Sequence, residues 1–184
     1  MLIHLIEKTA QALDNHFIPY MIIGGQAVLY YGEPRMTRDI DITLGVGPER
    51  LPAVLEMIRE AGIESLVDDP ETFVAQTMVL PCRDSTSHVT IDFIFSLSSY
   101  EKEAISRAVT VTIGGTSVAF ASVEDLIIHK LIAGRPRDIE DVRGIVRKGA
   151  TIDEHYIRTR LEAFEAALDR SFITTLNDIL CPER

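Results

Sequence analysis

The sequence predicts a mixed α/β (α+β) fold in which a β-sheet core is flanked by helices and followed by a helical C-terminal part. Strand-like and helix-like patterns of apolar residues alternate along residues 1–121, whereas helix-like spacing alone continues over 122–184. The chain has 184 residues, of which 46% are apolar and 25% charged, as in an ordinary globular protein. We therefore expect a core over 1–121 and a helical part over 122–184, either packed on the core or continuous with it in one domain.

Each predicted strand rests on a local pattern. The apolar run before Gly24-Gly25 indicates a buried strand, alternation of apolar and polar residues indicates the strands that follow, and Gly114-Gly115 indicates the turn of a hairpin. In chain order, the predicted strands cover 20–23, 39–44, 73–80, 88–95 and a hairpin over 108–120.

The predicted helices have apolar residues three and four positions apart. Gly32 and Pro34 end the second helix, and Ser122 with Asp125 resembles a capping box at the start of the fourth. In chain order, the predicted helices cover 2–16, 26–31, 50–61, 122–133, 137–147, 152–168 and 171–179. The helix over 152–168 carries an apolar stripe that packs either within the chain or across a homodimer interface.

The charge balance excludes one broad class of function. The chain has 18 Lys and Arg residues against 28 Asp and Glu residues, which gives a formal net charge of −10. Because general nucleic-acid binding depends on neutralising phosphates, a chain this acidic is a poor nucleic-acid coat. A local basic cleft for an RNA end and a site for a small cationic substrate both stay open.

The sequence predicts a cytoplasmic protein with no membrane partner. No apolar run approaches the roughly 20 residues that a membrane-spanning helix needs. The N-terminal segment lacks the basic start of a secretory signal. Cys82 and Cys181 form neither a zinc-binding motif nor a disulfide framework, so a reducing compartment is expected.

The most informative stretch is GGQAVLYYGEPRMTRDIDITL, residues 24–44. Because residues two apart in a strand share a face, Asp39 and Asp41 are expected roughly 7 Å apart on one face. Two carboxylates this close repel each other unless a cation lies between them, and Mg²⁺ prefers such oxygen ligands. If the strand over 88–95 is a neighbour, Asp92 supplies a third carboxylate.

Three carboxylates suit a two-metal site for phosphoryl transfer, in which one metal activates a hydroxyl and the other holds the triphosphate. Gly24 and Gly25 come between a strand and a helix, so their backbone N–H groups can approach phosphate oxygens. Neither a GxxxxGK[ST] nor a GxGxxG motif is present. Each feature also has a structural alternative, because a D-x-D pair can line the solvent face of an edge strand and Gly-Gly can form a plain tight turn.

The ordered combination resembles the minimal nucleotidyltransferases of the DNA polymerase β superfamily. Their hallmark is a Gly-Gly or Gly-Ser turn, a short helix, a D-x-D strand and a later Asp. The matching residues here are Gly24, Gly25, Asp39, Asp41 and Asp92. The wider pattern R-x-T-x-D-h-D, where h is apolar, is similar to the abortive-infection toxins of type IV toxin–antitoxin systems and to small antibiotic nucleotidyltransferases.

A second segment, VEDLIIHKLIAGRPRDIEDV over 123–142, is similar to a later pair of motifs in the toxins. These motifs are a Lys within a helix and an Arg-x-x-Asp-x-x-Asp-like element, which Lys130, Asp138 and Asp141 match. From the residues alone, Lys130 is equally compatible with a solvated position beside an apolar stripe. The two acids, three apart on one helix face, could pair with arginines such as Arg135 and Arg143.

The resemblance implies a role for each matching residue. The implied catalytic residues are Asp39, Asp41, Asp92, Lys130 and Asp138, of which the first three bind Mg²⁺, with two ions expected. The implied nucleotide-binding residues are Gly24, Gly25, Arg35, Thr37 and Arg38. On the same pattern, Asp92 helps to deprotonate the acceptor hydroxyl, Lys130 neutralises phosphate charge and Asp138 lies near the nucleotide.

The sequence therefore favours a Mg²⁺-dependent nucleotidyltransferase. The expected reaction moves an NMP group from an NTP such as ATP to a hydroxyl of an RNA, a protein or a small molecule, and releases pyrophosphate. The toxin branch further implies a cognate antitoxin. The alternative is a catalytically silent module that binds nucleotide or a partner protein for regulation, although a silent site has no need for clustered like charges.

Overall fold

A mixed β-sheet of seven strands forms the framework of the computed structural model within the residues it describes, which are 1–33, 36–37, 39–96 and 98–181. The strands are β1 (Tyr20–Ile23), β2 (Asp39–Leu44), β3 (Ile63–Ser65), β4 (Val79–Asp84), β5 (Thr90–Phe95), β6 (Val109–Ile113) and β7 (Thr116–Phe120). Their spatial order is β3-β4-β5-β2-β1-β7-β6. The β2–β5 and β1–β7 pairs are parallel and the other pairs are antiparallel, which confirms the predicted mixed sheet.

The helices in the same part of the chain are α1 (Leu2–Asn15), α2 (Gly24–Tyr31), α3 (Leu51–Glu60), α4 (Pro70–Thr77), α5 (Ser99–Ser106), α6 (Val123–Ala133), α7 (Pro136–Arg147), α8 (Glu154–Leu168) and α9 (Ile173–Leu180). Over the described residues, none of these helices is long and apolar enough to cross a membrane.

The chain divides into two units, which we call the sheet unit and the helical unit. The sheet unit consists of the described residues of 1–26 and 36–121, and it contains the strands β1–β7 with α1, α3, α4 and α5. The helical unit consists of the described residues of 27–35 and 122–184, and it contains α6–α9. Helix α2 begins in the sheet unit and ends in the helical unit.

Alternation along β2 and β5 builds the core of the sheet unit. Every second residue of the two strands is buried, namely Ile40, Ile42, Leu44, Ile91, Phe93 and Phe95. On the opposite face, Asp39, Asp41 and Asp92 are exposed or half-buried, whereas Thr43 is buried. Because burying each large apolar side chain contributes about 1.5–3 kcal/mol, the apolar face fixes which way the acidic face of each strand points.

A buried polar contact joins α6 to α8 in the helical unit. Ser122 caps α6 by accepting a hydrogen bond from the Asp125 amide at 3.1 Å, as the capping pattern predicts. The Asp125 carboxylate is fully buried and accepts hydrogen bonds from the Ser122 hydroxyl at 2.7 Å and the Tyr156 hydroxyl at 2.9 Å. Its polar oxygens are therefore satisfied where an unpaired carboxylate would be costly.

The predicted strand over 73–80 is wrong over most of its length. Residues 70–77 form α4, because Asp69 accepts a hydrogen bond from the Thr72 amide at 3.1 Å and Pro70 occupies the first helical turn. The strand that follows begins only at Val79, after Met78 has turned the chain with a φ of 61°.

Like α4, strand β3 and helix α5 were not predicted from the sequence. Strand β3 has only three residues and pairs with β4 at the edge of the sheet. Helix α5 begins at a capping box in which Ser98 and Glu101 hydrogen-bond to each other's backbone. The cap, rather than an apolar stripe, marks the start of this helix in the sequence.

Asp84 stabilises the hairpin loop between β4 and β5 through hydrogen bonds. Its buried carboxylate accepts hydrogen bonds from the Ser87 amide at 2.7 Å and the Ser87 hydroxyl at 2.6 Å, and from the Lys8 ammonium of α1 at 2.5 Å. Burial raises the pKa of Asp84, but the bonds from Lys8 and Ser87 and the positive charge of Lys8 outweigh it and lower the pKa to about 2. The ionised carboxylate therefore holds the loop against α1.

We predict that Asp84→Asn lowers the free energy of unfolding at neutral pH by about 1–2 kcal/mol, because the amide loses the charge-assisted bonds. The unfolded chain binds a proton near pH 3.8, before the folded chain does at about 2. The contribution is therefore complete above pH 3.8 and is lost as the pH falls towards about 2. Urea denaturation of both proteins over a pH series measures the difference.

The exposed Asp178 provides the control, since Asp178→Asn leaves this loop unchanged. A stability gap between wild type and Asp84→Asn that stays constant down to the lowest pH would show that ionisation of Asp84 does not stabilise the loop.

Candidate active site

Three carboxylates lie on two adjacent strands of the sheet unit. In the parallel pairing of β2 with β5, Asp41 is opposite Asp92 and Asp39 is opposite Thr90. The prediction that these strands are neighbours is confirmed, and Asp92 belongs to the same acidic face as the D-x-D pair. We call Asp39, Asp41 and Asp92 the acidic cluster.

The surroundings of Asp92 disfavour its ionised form. Burial raises the pKa of Asp92, and the negative charge of Asp39 raises it further. The pKa of the neighbouring Cys82 thiol is raised as well, to about 12. Burial is the larger cause, and the negative charge of Asp92 adds to it. A cation beside these carboxylates would offset the repulsion between Asp39 and Asp92.

Two side chains hold Asp39 in place, and the sequence analysis missed both. The Thr90 hydroxyl donates a hydrogen bond to Asp39 Oδ1 at 2.9 Å, which leaves Oδ2 for another partner. The buried Gln26 amide donates to the Asp39 carbonyl oxygen at 3.1 Å. Because Gln26 is in the first turn of α2, it links the glycine segment to the D-x-D strand. Pairing of β2 with β5 brings Thr90 to Asp39, and packing of α2 brings Gln26 there, although both residues are distant from Asp39 in the chain.

The glycine segment packs directly against the acidic cluster. Gly24 has a φ of +62°, and a Cβ built on it would lie 1.9 Å from Asp41 Oδ2. The Asp41 carboxylate therefore occupies the space that any side chain at position 24 would need. Both Gly24 and the buried Gly25 are the first residues of α2 rather than a turn before it, so the predicted start of this helix at residue 26 is too late. Their N–H groups lie at a helix N-terminus, where backbone donors and the helix dipole favour anions.

The segment before β2 is only partly described. Thr37 is half-buried and lines the same groove as Asp39. The predicted phosphate-binding residues Arg35 and Arg38 lie outside the described residues, and their roles stay predictions.

The donor set suits a hard cation, because all three ligands of the acidic cluster are carboxylates. Burial and the charge of Asp39 raise the Asp92 pKa, and a nearby cation would offset the repulsion between these carboxylates. As the side chains stand, no group of three or more His, Cys, Asp or Glu residues in the described ranges is arranged to hold a metal ion.

Lys130 and the two acids of α7 form a second charged cluster, within the helical unit. The Lys130 ammonium donates to Asp138 Oδ1 at 2.6 Å and lies 2.8 Å from Asp141 Oδ2. All three side chains are at most 10% exposed. The alternative of a solvated Lys130 is therefore wrong, and both acids pair with this lysine.

Arg135 adds a further cation at the edge of this second cluster. Its Nε lies 4.0 Å from Asp138 Oδ2, a buried oxygen that accepts no hydrogen bond from the described residues. The buried residues of α7 are Asp138, Asp141, Val142, Gly144 and Ile145. Burial of the acids requires the lysine of the preceding helix, which a pattern within α7 alone does not reveal.

A mixed sheet that carries a D-x-D strand, a third Asp on the neighbouring strand and an adjoining Gly-Gly helix start defines a protein of the nucleotidyltransferase fold. The family model that describes the nucleotidyl transferase AbiEii toxin of type IV toxin–antitoxin systems matches residues 10–179. The chain belongs to this family, which confirms the resemblance found in the sequence. No curated protein matches the chain.

Solved structures with similar folds include antibiotic-modifying enzymes. The antibiotic-resistance factor ANT(2'')-Ia, in complex with adenylyl-2''-tobramycin, is 19% identical with a TM-score of 0.61, over 90% of this chain and 98% of that one. An antigenic nucleotidyltransferase-like protein from Paracoccidioides brasiliensis is 17% identical with a TM-score of 0.62, over 97% and 91%. The lincomycin-bound lincosamide adenylyltransferase LnuA is 14% identical with a TM-score of 0.51, over 73% and 90%. At these identities the likeness establishes the fold.

We predict that Gly24→Ala lowers stability by about 1–3 kcal/mol and lowers nucleotidyl transfer at least about tenfold. The added methyl must displace the Asp41 carboxylate, and the backbone is in the left-handed region that Ala disfavours. Thermal unfolding and transfer rates measure the two effects.

Gly149→Ala is the matched control, because Gly149 has a φ of +73° but no atom within 4 Å of a built Cβ. This variant should lose about 1 kcal/mol of stability through backbone strain and keep the wild-type transfer rate. Equal transfer rates in Gly24→Ala and Gly149→Ala would refute the claim that Gly24 is needed for the site.

Proposed function

We propose that this chain is a Mg²⁺-dependent nucleotidyltransferase that moves an NMP group from an NTP to a hydroxyl acceptor and releases pyrophosphate. The observation that carries the proposal is the register of β2 and β5, which puts Asp92 beside Asp41. Membership of a nucleotidyl transferase family supports the same reaction. In this proposal, residues 1–121 form the nucleotidyltransferase core and residues 122–184 form a helical C-terminal part. The reaction takes place in the cytoplasm.

In the proposed reaction, the acceptor hydroxyl oxygen forms a bond to the α-phosphorus of the NTP. The bond from that phosphorus to the bridging oxygen of the β-phosphate breaks, and pyrophosphate leaves with the electron pair. The hydroxyl proton passes to a carboxylate of the acidic cluster, a role that the family pattern gives to Asp92. Asp39, Asp41 and Asp92 are the residues that would hold Mg²⁺, which when bound supplies electrostatic stabilisation of the phosphates.

The other residues have supporting roles in this proposal. The N–H groups of Gly24 and Gly25 bind the triphosphate at the start of α2. The Thr90 hydroxyl fixes the orientation of the Asp39 carboxylate through its hydrogen bond. Residues that hydrogen-bond to metal ligands commonly have this role. Lys130 and Asp138 are assigned to the nucleotide on the family pattern, and their mutual ion pair holds both side chains in one arrangement before substrate binds.

The proposed acceptor is a hydroxyl group of an RNA, a protein or a small molecule. The similar enzymes ANT(2'')-Ia and LnuA were captured with adenylyl-2''-tobramycin and lincomycin, which favours a small molecule. The family name favours a toxin, for which a cognate antitoxin is the expected protein partner.

We predict that Asp39→Asn and Asp41→Asn each lower transfer by about a hundredfold or more, because each removes a charged ligand of the metal and phosphate site. Neither variant should lower the unfolding temperature, since each relieves repulsion within the acidic cluster. The assay incubates protein with each α-³²P-labelled NTP, Mg²⁺ and fractionated cell extract, and follows label into RNA, protein and small molecules.

Glu64→Gln is the control, because it neutralises an exposed acid on β3 of the same sheet. Wild-type transfer rates in both Asp variants would refute the proposed site. NTP binding by wild type without transfer to any fraction would favour the regulatory module over the enzyme.

A further inference from the structure

A groove of about 510 Å³ lies in the sheet unit beside the acidic cluster. Met1 and Leu2 at the start of α1 line one part of it, and the loop over 87–89 lines another. Asp39 and Thr90, which share a hydrogen bond at 2.9 Å, complete the wall. We call this space the α1 groove. It therefore contains one carboxylate of the proposed catalytic site, Asp39.

The loop that lines the α1 groove is held in one conformation. His88 has a φ of 59°, a left-handed backbone that is uncommon outside glycine, and its amide donates to the Asp84 carbonyl oxygen at 2.9 Å. Asp84 in turn binds Ser87 and Lys8, so the loop is fixed both to its own hairpin and to α1. A groove whose wall is braced in this way is preformed, which lowers the entropic cost of binding.

The lining of the α1 groove has the chemistry of a small-molecule site. Met1, Leu2 and Val89 offer apolar surface, while Asp39, Thr37 and Thr90 supply a carboxylate and two hydroxyl groups. Ligand sites are typically a few hundred to a thousand Å³ and combine apolar walls with a few polar groups. This combination fits a molecule of modest size whose apolar side lies on α1 and whose hydroxyl groups face Asp39 and the loop.

We propose that the α1 groove is the acceptor subsite and that it takes a small molecule with hydroxyl groups on an apolar skeleton. The inference rests on the proposed function, because Asp39 belongs to both the groove and the acidic cluster. A hydroxyl bound at Asp39 lies beside the carboxylates that would activate it. The polar edge of the molecule thereby determines which hydroxyl reacts, and the apolar wall determines which molecules bind.

The test uses phenyl β-D-glucoside as a probe, since it carries hydroxyl groups and an apolar ring. Protein labelled with ¹³C in its Met, Leu and Val methyl groups is titrated with the probe and followed by NMR. We expect the shifts to concentrate on Met1, Leu2 and Val89. Leu2→Trp, which fills the groove, should weaken binding about tenfold or more.

Ile3→Trp is the matched control, because Ile3 is adjacent on α1, is 58% exposed and does not line the groove. This variant should bind the probe as wild type does. If Leu2→Trp fails to fold, Leu2→Ala replaces it, and loss of apolar contact should again weaken binding while Ile3→Ala leaves it unchanged.

Shifts that are absent, that lie away from the groove, or that persist equally in both Trp variants overturn the inference. A single-stranded RNA trinucleotide is titrated in parallel, and methyl shifts at the groove with the RNA but not with the glucoside overturn the small-molecule assignment. The label-transfer assay is independent of this readout. Groove binding without transfer to any acceptor would refute the proposed function, whereas transfer without groove binding would refute only the subsite.

Discussion

The parallel pairing of β2 with β5 is the constraint on which the site depends. It aligns Asp41 with Asp92 and Asp39 with Thr90, so three carboxylates and one hydroxyl meet on a single face. A shift of one residue in either strand would send its acids into the core and its apolar residues to the surface. The buried side chains of both strands oppose such a shift, and the energy of the core thereby maintains an arrangement of like charges that is unfavourable without a cation.

Two further contacts adapt the neighbouring segments to this arrangement. Gly24 leaves space for the Asp41 carboxylate, and Gln26 reaches from α2 to the backbone of Asp39. These contacts fix the start of α2 relative to the D-x-D strand, although residues 27–38 separate the two in the chain. The carboxylates of the helical unit are stabilised differently. The buried Lys130 ammonium pairs with both Asp138 and Asp141, so the protein itself supplies a positive charge there.

The parts of the fold that could be predicted from the sequence are those encoded locally. The strict alternation in DIDITL defines β2 and both of its faces, and Ser122 with Asp125 defines the start of α6. The stretch over 73–80 misled prediction because its apolar residues belong to two elements, separated by the left-handed Met78. The partners of Asp39 and Lys130 depend on strand register and helix packing, which distant residues determine, so no local pattern could indicate them.

The central claim is that the acidic cluster on β2 and β5 binds the divalent cation of the reaction. The most direct measurement is paramagnetic broadening by Mn²⁺ of the amide NMR signals of the full chain, in the presence of a non-hydrolysable NTP. The account predicts that broadening is centred on Gly24, Asp41 and Asp92 and is strongly reduced in Asp92→Asn. Broadening centred on other residues, or unchanged in Asp92→Asn, would contradict it.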